Sequence, residues 1–292
     1  MKRNSVIIFF FLLSLSVVAQ VSTPLPNREG QGGESVVGES SYPLLVRQGI
    51  TAMETDSLKQ AEVLFLQAMK EAPGASGNVI ILGHLASIAE RTGREQEALE
   101  YYREALLLAP GASGLLLGRA SLYLKMGNEE RALADYNDVL VKKPDNEEAL
   151  LMRAYIYRKQ RLLKDARADY EHIISLNPTH EQALLGLALV NNETRRPREA
   201  METINMVVDL YPNHAAGYAL RAGMEFERKL YEQAEMDYAK AIALEPKNPA
   251  YRLARAHFYT KTKRKRMAQV DVRVAASLGA SPAEVAGAAG LK

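Results

Sequence analysis

Five histidines could bind a metal or move a proton: His84, His172, His180, His214 and His257. None stands in an H-E-x-x-H pattern, the arrangement that puts two imidazoles on one helix face with a glutamate between them. His172 falls inside an apolar-periodic stretch. His180 and His214 follow prolines, where turn chemistry accounts for them. Cysteine is absent, which removes thiol nucleophiles, disulfides, Cys-ligated zinc, iron–sulfur clusters and sulfur-linked lipids. Gly111-Ala112-Ser113-Gly114 lacks the Lys-Ser/Thr that a phosphate-binding loop requires, and no nucleophile elbow is present. Carboxylates are plentiful but form no paired pattern in the sequence. The residues therefore imply no catalytic set, no metal and no cofactor, and the chain reads as a non-enzyme.

Lys261-Thr262-Lys263-Arg264-Lys265-Arg266 is the dense basic run. Lys and Arg number 37 against 35 Asp and Glu, a net charge of +2, so nucleic acid is not an expected partner. The run reads first as a solvated turn and second as a weak contact with an anionic surface such as lipid headgroups or acidic glycans. Asn192-Glu193-Thr194 matches a glycosylation acceptor, a short pattern often met by chance.

The elements that carry these residues fall into three kinds. Lys2 and Arg3 precede an apolar stretch over 6–19 broken only by Ser14 and Ser16, and Val17 and Ala19 supply small residues before Gln20. That is the layout of a secretory signal peptide, and the stretch falls short of the roughly 20 residues that span a bilayer. Residues 1–19 are expected to be cleaved after Ala19, leaving an exported protein, periplasmic or secreted, that does not span a membrane. Residues 20–41 hold Pro24, Pro26, Gly30, Gly32, Gly33 and Gly38 among polar residues and read as a flexible linker.

The remainder repeats. Pro73, Pro110, Pro144, Pro178, Pro212 and Pro246 stand 37, 34, 34, 34 and 34 residues apart. Gly49, Ala86, Ala120, Ala154, Ala188, Ala222 and Ala256 keep the same steps, as do Ala61, Ala98, Ala132, Ala166, Ala200, Ala234 and Ala268. A large column runs Phe65, Tyr102, Tyr136, Tyr170, Ile204, Tyr238 and Val272. One insertion near Gly74 and Gly77 explains the longer first step. Leu116, Ala120 and Tyr123, and again Ala132, Tyr136 and Val139, recur at helical spacing. Gly127 stops the first helix of its repeat and Pro144 the second. Each repeat is therefore helix–turn–helix, with small residues where helices cross and an aromatic filling the gap to the next pair.

The step and the pattern Ala98, Tyr102, Ala105, Pro110, repeated as Ala132, Tyr136, Val139, Pro144, resemble the tetratricopeptide repeat (TPR) family. The resemblance covers 42–282 and implies an all-α fold, a right-handed α-solenoid of about seven helix-turn-helix repeats, the first and last atypical. Ala52 in the first stands where the third and fourth have Tyr123 and Tyr157. The last has Arg252 and lacks the closing proline. Ser281-Pro282-Ala283-Glu284 is a capping box, so 283–292 are read as a short capping helix or tail.

The resemblance also implies a concave face, lined by the first helices, that binds a peptide or a partner helix. Its places fall on Leu117, Ser121 and Leu124; on Leu151, Tyr155 and Arg158; on Leu185, Leu189 and Asn192; and on Gly223 and Phe226. Val46, Ile50, Ser87 and Arg91 come from the first two repeats. Several of these leucines could equally pack between neighbouring repeats. The Lys/Asn/Arg clamp by which some relatives hold a chaperone's C-terminal carboxylates is missing: Val46, Ile50, His84, Gly114 and Gly118 stand there. The expected function is a protein–protein interaction scaffold, with Tyr155 and Arg158 as leading contacts. The alternative is a structural subunit of a cell-envelope assembly, joined through its ends or convex face.

Overall fold

The computed structural model describes residues 41–290. The expected signal peptide and linker positions 20–40 lie outside the described residues. Among those described are fifteen α-helices and no strand. The first helices of the seven repeats are α1 (Tyr42–Glu54), α3 (Asn78–Arg91), α5 (Ser113–Lys125), α7 (Glu147–Lys159), α9 (Glu181–Glu193), α11 (Ala215–Glu227) and α13 (Pro249–Lys261). The second helices are α2 (Leu58–Glu71), α4 (Glu95–Leu108), α6 (Glu129–Lys142), α8 (Leu163–Leu176), α10 (Pro197–Leu210), α12 (Tyr231–Leu244) and α14 (Lys265–Ser277). A last helix, α15 (Pro282–Ala289), starts with the Ser281–Glu284 capping box.

The turn inside each repeat is built the same way. One residue takes left-handed φ: Gly93 and Gly127, but also Asp56, Arg161, Arg195, Lys229 and Lys263. The next amide then donates back across the helix end, as in Arg94 N–H to Ala89 O at 2.8 Å, Asn128 to Tyr123 at 2.8 Å and Leu230 to Glu225 at 2.9 Å. This closes the orphaned carbonyls that every helix end leaves. Only two of these seven turns use glycine, so the other five hold a side chain in a backbone region that disfavours it.

The chain packs as two compact halves, one ending at Arg153 and one beginning at Ala154, so that the boundary falls within α7. In the N-terminal half α1 packs on α2, α3 on α4 and α5 on α6, and α2 on α3 and α4 on α5 join consecutive pairs. In the C-terminal half α8 packs on α9, and the order continues pair by pair to α13 on α14, with α15 against both. Each half is a run of stacked helix pairs, the arrangement of an α-solenoid. The inserted residues of the first long step lie in the loop before α3. Buried Asn78 holds that loop: its Nδ2 donates to Ala72 O at 2.8 Å and Pro73 O at 2.9 Å, and Tyr42 Oη donates to its Oδ1 at 3.1 Å.

The alanine columns are buried in both halves, as are Phe65, Tyr102, Tyr136, Tyr170, Ile204 and Tyr238. Phe65, Tyr102, Tyr170, Ile204 and Tyr238 each meet the next repeat. Phe65 stacks on His84 with ring centroids 5.3 Å apart. The rings of Tyr102 and Tyr170 lie against Gly118 and Gly186, where a Cβ would overlap them. Where the column changes to Ile204, the matching place holds Leu220, packed into the same cluster. Ring over glycine and Ile against Leu are two solutions to one volume requirement.

Candidate functional site

In the N-terminal half, Val46 and Ile50 on α1, Ser87 on α3, and Leu117, Ser121 and Leu124 on α5 are half-buried, as is Leu151 on α7. Arg91 is exposed and paired with Asp56 of the preceding repeat. In the next repeat Lys125 Nζ reaches Glu95 Oε1 at 3.0 Å.

In the C-terminal half the expected contact residues divide into two sets. Leu185 is only 7% exposed and lies in the core cluster of Ala188, Ile204 and Met224. Phe226 is half-buried and sets its ring edge-on to Phe258 at 5.4 Å. Arg158 donates to Glu193 Oε1 at 2.9 Å, and Arg161 takes the other oxygen at 2.6 Å. Asn192 Nδ2 donates to Glu227 Oε2 at 3.0 Å. These four residues join each repeat to the next, and the amide of the glycosylation pattern is among the groups engaged. Tyr155 and Leu189 differ. Both are half-buried on first helices, as Phe226 is, but neither makes a cross-repeat hydrogen bond, and the Tyr155 hydroxyl makes none among the described residues.

The histidines serve packing and capping. Burial lowers the pKa of His84, in keeping with its stack on Phe65. His180 caps α9 by accepting from Ala183 N–H at 3.2 Å. His214 Nδ1 lies 2.7 Å from Glu181 Oε1. His172 and His257 are half-buried on α8 and α13. Among the described residues no group of three or more His, Asp or Glu is placed to hold a metal ion, and no helix is long and apolar enough to cross a membrane.

The basic run is not uniform. Arg264 is drawn into the fold: its guanidinium sits 4.8 Å above the Phe258 ring and 4.7 Å above Tyr259, and donates to Glu235 Oε2 at 2.6 Å. Lys261, Lys263, Lys265 and Arg266 are exposed. Arg94 forms the matching staple at the other end of the array, donating to both oxygens of Glu62 at 2.6 and 2.9 Å.

One set of polar residues was not singled out from the sequence. Arg119, Arg221 and Arg255 each grip one aspartate of the same repeat, Asp135, Asp237 and Asp271, with two hydrogen bonds of 2.6 to 3.0 Å. The aspartates are buried. The signal was present as two more columns: Arg at 119, 153, 221 and 255, and Asp sixteen residues later at 135, 169, 237 and 271. The fifth repeat breaks both together, with Leu187 and Thr203, and Thr203 turns its hydroxyl back to Glu199 O at 2.7 Å. Near one of these pairs lies Glu225, buried, with Oε2 lacking a hydrogen-bond partner among the described residues. Burial first, then the neighbouring Asp237 carboxylate, push its pKa up to about 7 against the pull of Arg221.

Residues 80–111, 117–181 and 157–223 each match a family model described as tetratricopeptide repeat. Residues 80–111 and 117–223 are tetratricopeptide repeats. A TPR protein from Parabacteroides merdae is 27% identical with a TM-score of 0.73, over 86% of this chain and 98% of that one. PilF of Pseudomonas aeruginosa is 16% identical with a TM-score of 0.58, over 72% of this chain and 95% of its own. YrrB, described as a TPR protein with an unusual peptide-binding site, is 20% identical with a TM-score of 0.52, over 62% of this chain and 92% of its own. The last two show a shared fold. No curated protein matches the chain. The TPR fold is that of a protein–protein interaction scaffold, since stacked helix pairs present extended side-chain surfaces.

Proposed function

We propose that this chain is a non-enzymatic scaffold, exported from the cytosol, that holds a peptide or partner helix on the face formed by the first helices of its TPRs. Tyr155 and Leu189 carry the reading. They are half-buried on α7 and α9, whereas Leu185, Arg158 and Asn192 of the same helices are engaged in holding the repeats together. A tyrosine whose hydroxyl has no hydrogen-bond partner among the described residues, with a leucine at the same place of the next repeat, has the make-up of a binding hot spot. The peptide-binding site of YrrB supports a ligand of this kind. The exposed cations of the 261–266 run offer a second, weaker contact, to an anionic surface.

A photoreactive phenylalanine placed at Tyr155 in the producing cell tests the reading. A discrete adduct from position 155, lost when Leu189→Ala is added, is expected. No adduct at 155 or 189, with adducts instead from a second-helix position such as Val141, would overturn it in favour of a structural subunit joined through its convex face. Leu107 and Val141 favour that second reading, since they are 75% and 81% exposed at matching places on α4 and α6.

A further inference from the structure

The outer face of α14 differs from those of the second helices before it. α14 buries Ala268, Asp271 and Ala275 and exposes Lys265, Arg266, Met267, Val270 and Arg273. Arg266, Val270 and Arg273 fall at i, i+4 and i+7, one stripe of the helix. The turn before it adds Lys261 and Lys263. None of these five cations has an ion-pair partner among the described residues. Asp271, the single carboxylate of α14, is buried and bound by Arg255 and Arg252, so no exposed acid of this helix offsets the charge. By contrast, α12 mixes exposed Glu232 and Lys240, and α10 mixes Arg198, Glu202 and Asp209. Met267 and Val270 stand among the cations 44% and 58% exposed.

We propose that the α14 face docks this protein on an anionic lipid surface, with Lys265, Arg266 and Arg273 at headgroup phosphates and Met267 and Val270 between the headgroups. The proposal deepens the anionic-surface contact and is independent of binding at Tyr155. Charge complementarity favours a lipid surface over a discrete anion. The cleft beside the turn is lined by Glu232 and Glu235 as well as Lys261 and Lys263, so a small anion entering it would meet carboxylates. Exposed Met and Val side chains set among cations on one helix face suit a fluid interface that conforms to them, whereas a protein partner would need a complementary hollow for each.

The test is vesicle flotation of the protein recovered from the producing cell, with its N-terminus read by intact mass. Phosphatidylglycerol-containing vesicles are compared with pure phosphatidylcholine. Binding to the first that weakens with salt is expected. Replacing Lys265, Arg266 and Arg273 with Gln should lower the partition coefficient on the order of a hundredfold, at about fivefold for each charge near the surface. Met267→Ser with Val270→Ser should lower it about tenfold while leaving retention on a heparin column unchanged. Equal partition of the triple-charge variant and the parent would overturn the proposal. So would an unaffected Met267/Val270 variant; retained heparin binding in that case would leave the anionic contact standing without the lipid.

Discussion

The Arg119–Asp135 pair offers a sharp test of how these repeats are held. Nε and Nη2 of Arg119 donate to the two oxygens of Asp135 at 2.8 and 2.7 Å. The aspartate side chain is 5% exposed and the arginine 23%. That asymmetry sets the magnitudes. Arg119→Leu leaves a buried carboxylate without its counter-ion and should cost about 3 kcal/mol. Asp135→Thr leaves an arginine that can still reach water and should cost about 1.5 kcal/mol. The double variant installs the combination that the fifth repeat already uses, Leu187 with Thr203, and should cost about 2 kcal/mol or less, a coupling of about 2.5 kcal/mol. Equilibrium urea unfolding of the four proteins measures this, with m-values compared because repeat arrays can lose cooperativity. Additive losses, or a larger loss from Asp135→Thr than from Arg119→Leu, would refute the account.

Three further outcomes follow from the geometry. Gly186→Leu should destabilise by about 2–3 kcal/mol, because any Cβ there overlaps the Tyr170 ring and an overpacked site must shift; adding Tyr170→Ile recreates the Ile204–Leu220 solution and should restore most of the loss in thermal melts. Glu225, with a folded-state pKa of about 7, binds its proton more tightly folded than unfolded, so its contribution is complete below about pH 4.5, the ordinary carboxyl value, and is lost as pH rises through 7; Glu225→Gln should match the parent's melting temperature at pH 5 and exceed it at pH 8, and a pH-independent difference would count against the assignment. Arg195→Gly should be neutral or stabilise by up to about 1 kcal/mol, since Arg195 holds φ at 59° where glycine meets no steric penalty; a loss would show that its side chain contributes a contact.

The periodic part of this protein was legible in its sequence. A 34-residue step of prolines and alanines fixes where helices stop and cross, because those events depend on residue type and local backbone. The all-helical repeat array follows from it, and the Arg and Asp columns were equally readable, since Leu187 and Thr203 depart from them together. The division of the expected contact residues was not readable. Leu185, Phe226, Arg158 and Asn192 are engaged according to which partner the adjacent repeat supplies: Met224, Phe258, Glu193 and Glu227. The same holds at 261–266, where five cations among six consecutive residues looked alike in charge. Phe258, Tyr259 and Glu235 take Arg264 out of the run, while α14 adds Arg273, Met267 and Val270 to what is left exposed. Column identity is a property of the chain and survives in one dimension. Burial and pairing are properties of neighbours about 34 residues away, and only stacking in three dimensions brings them together.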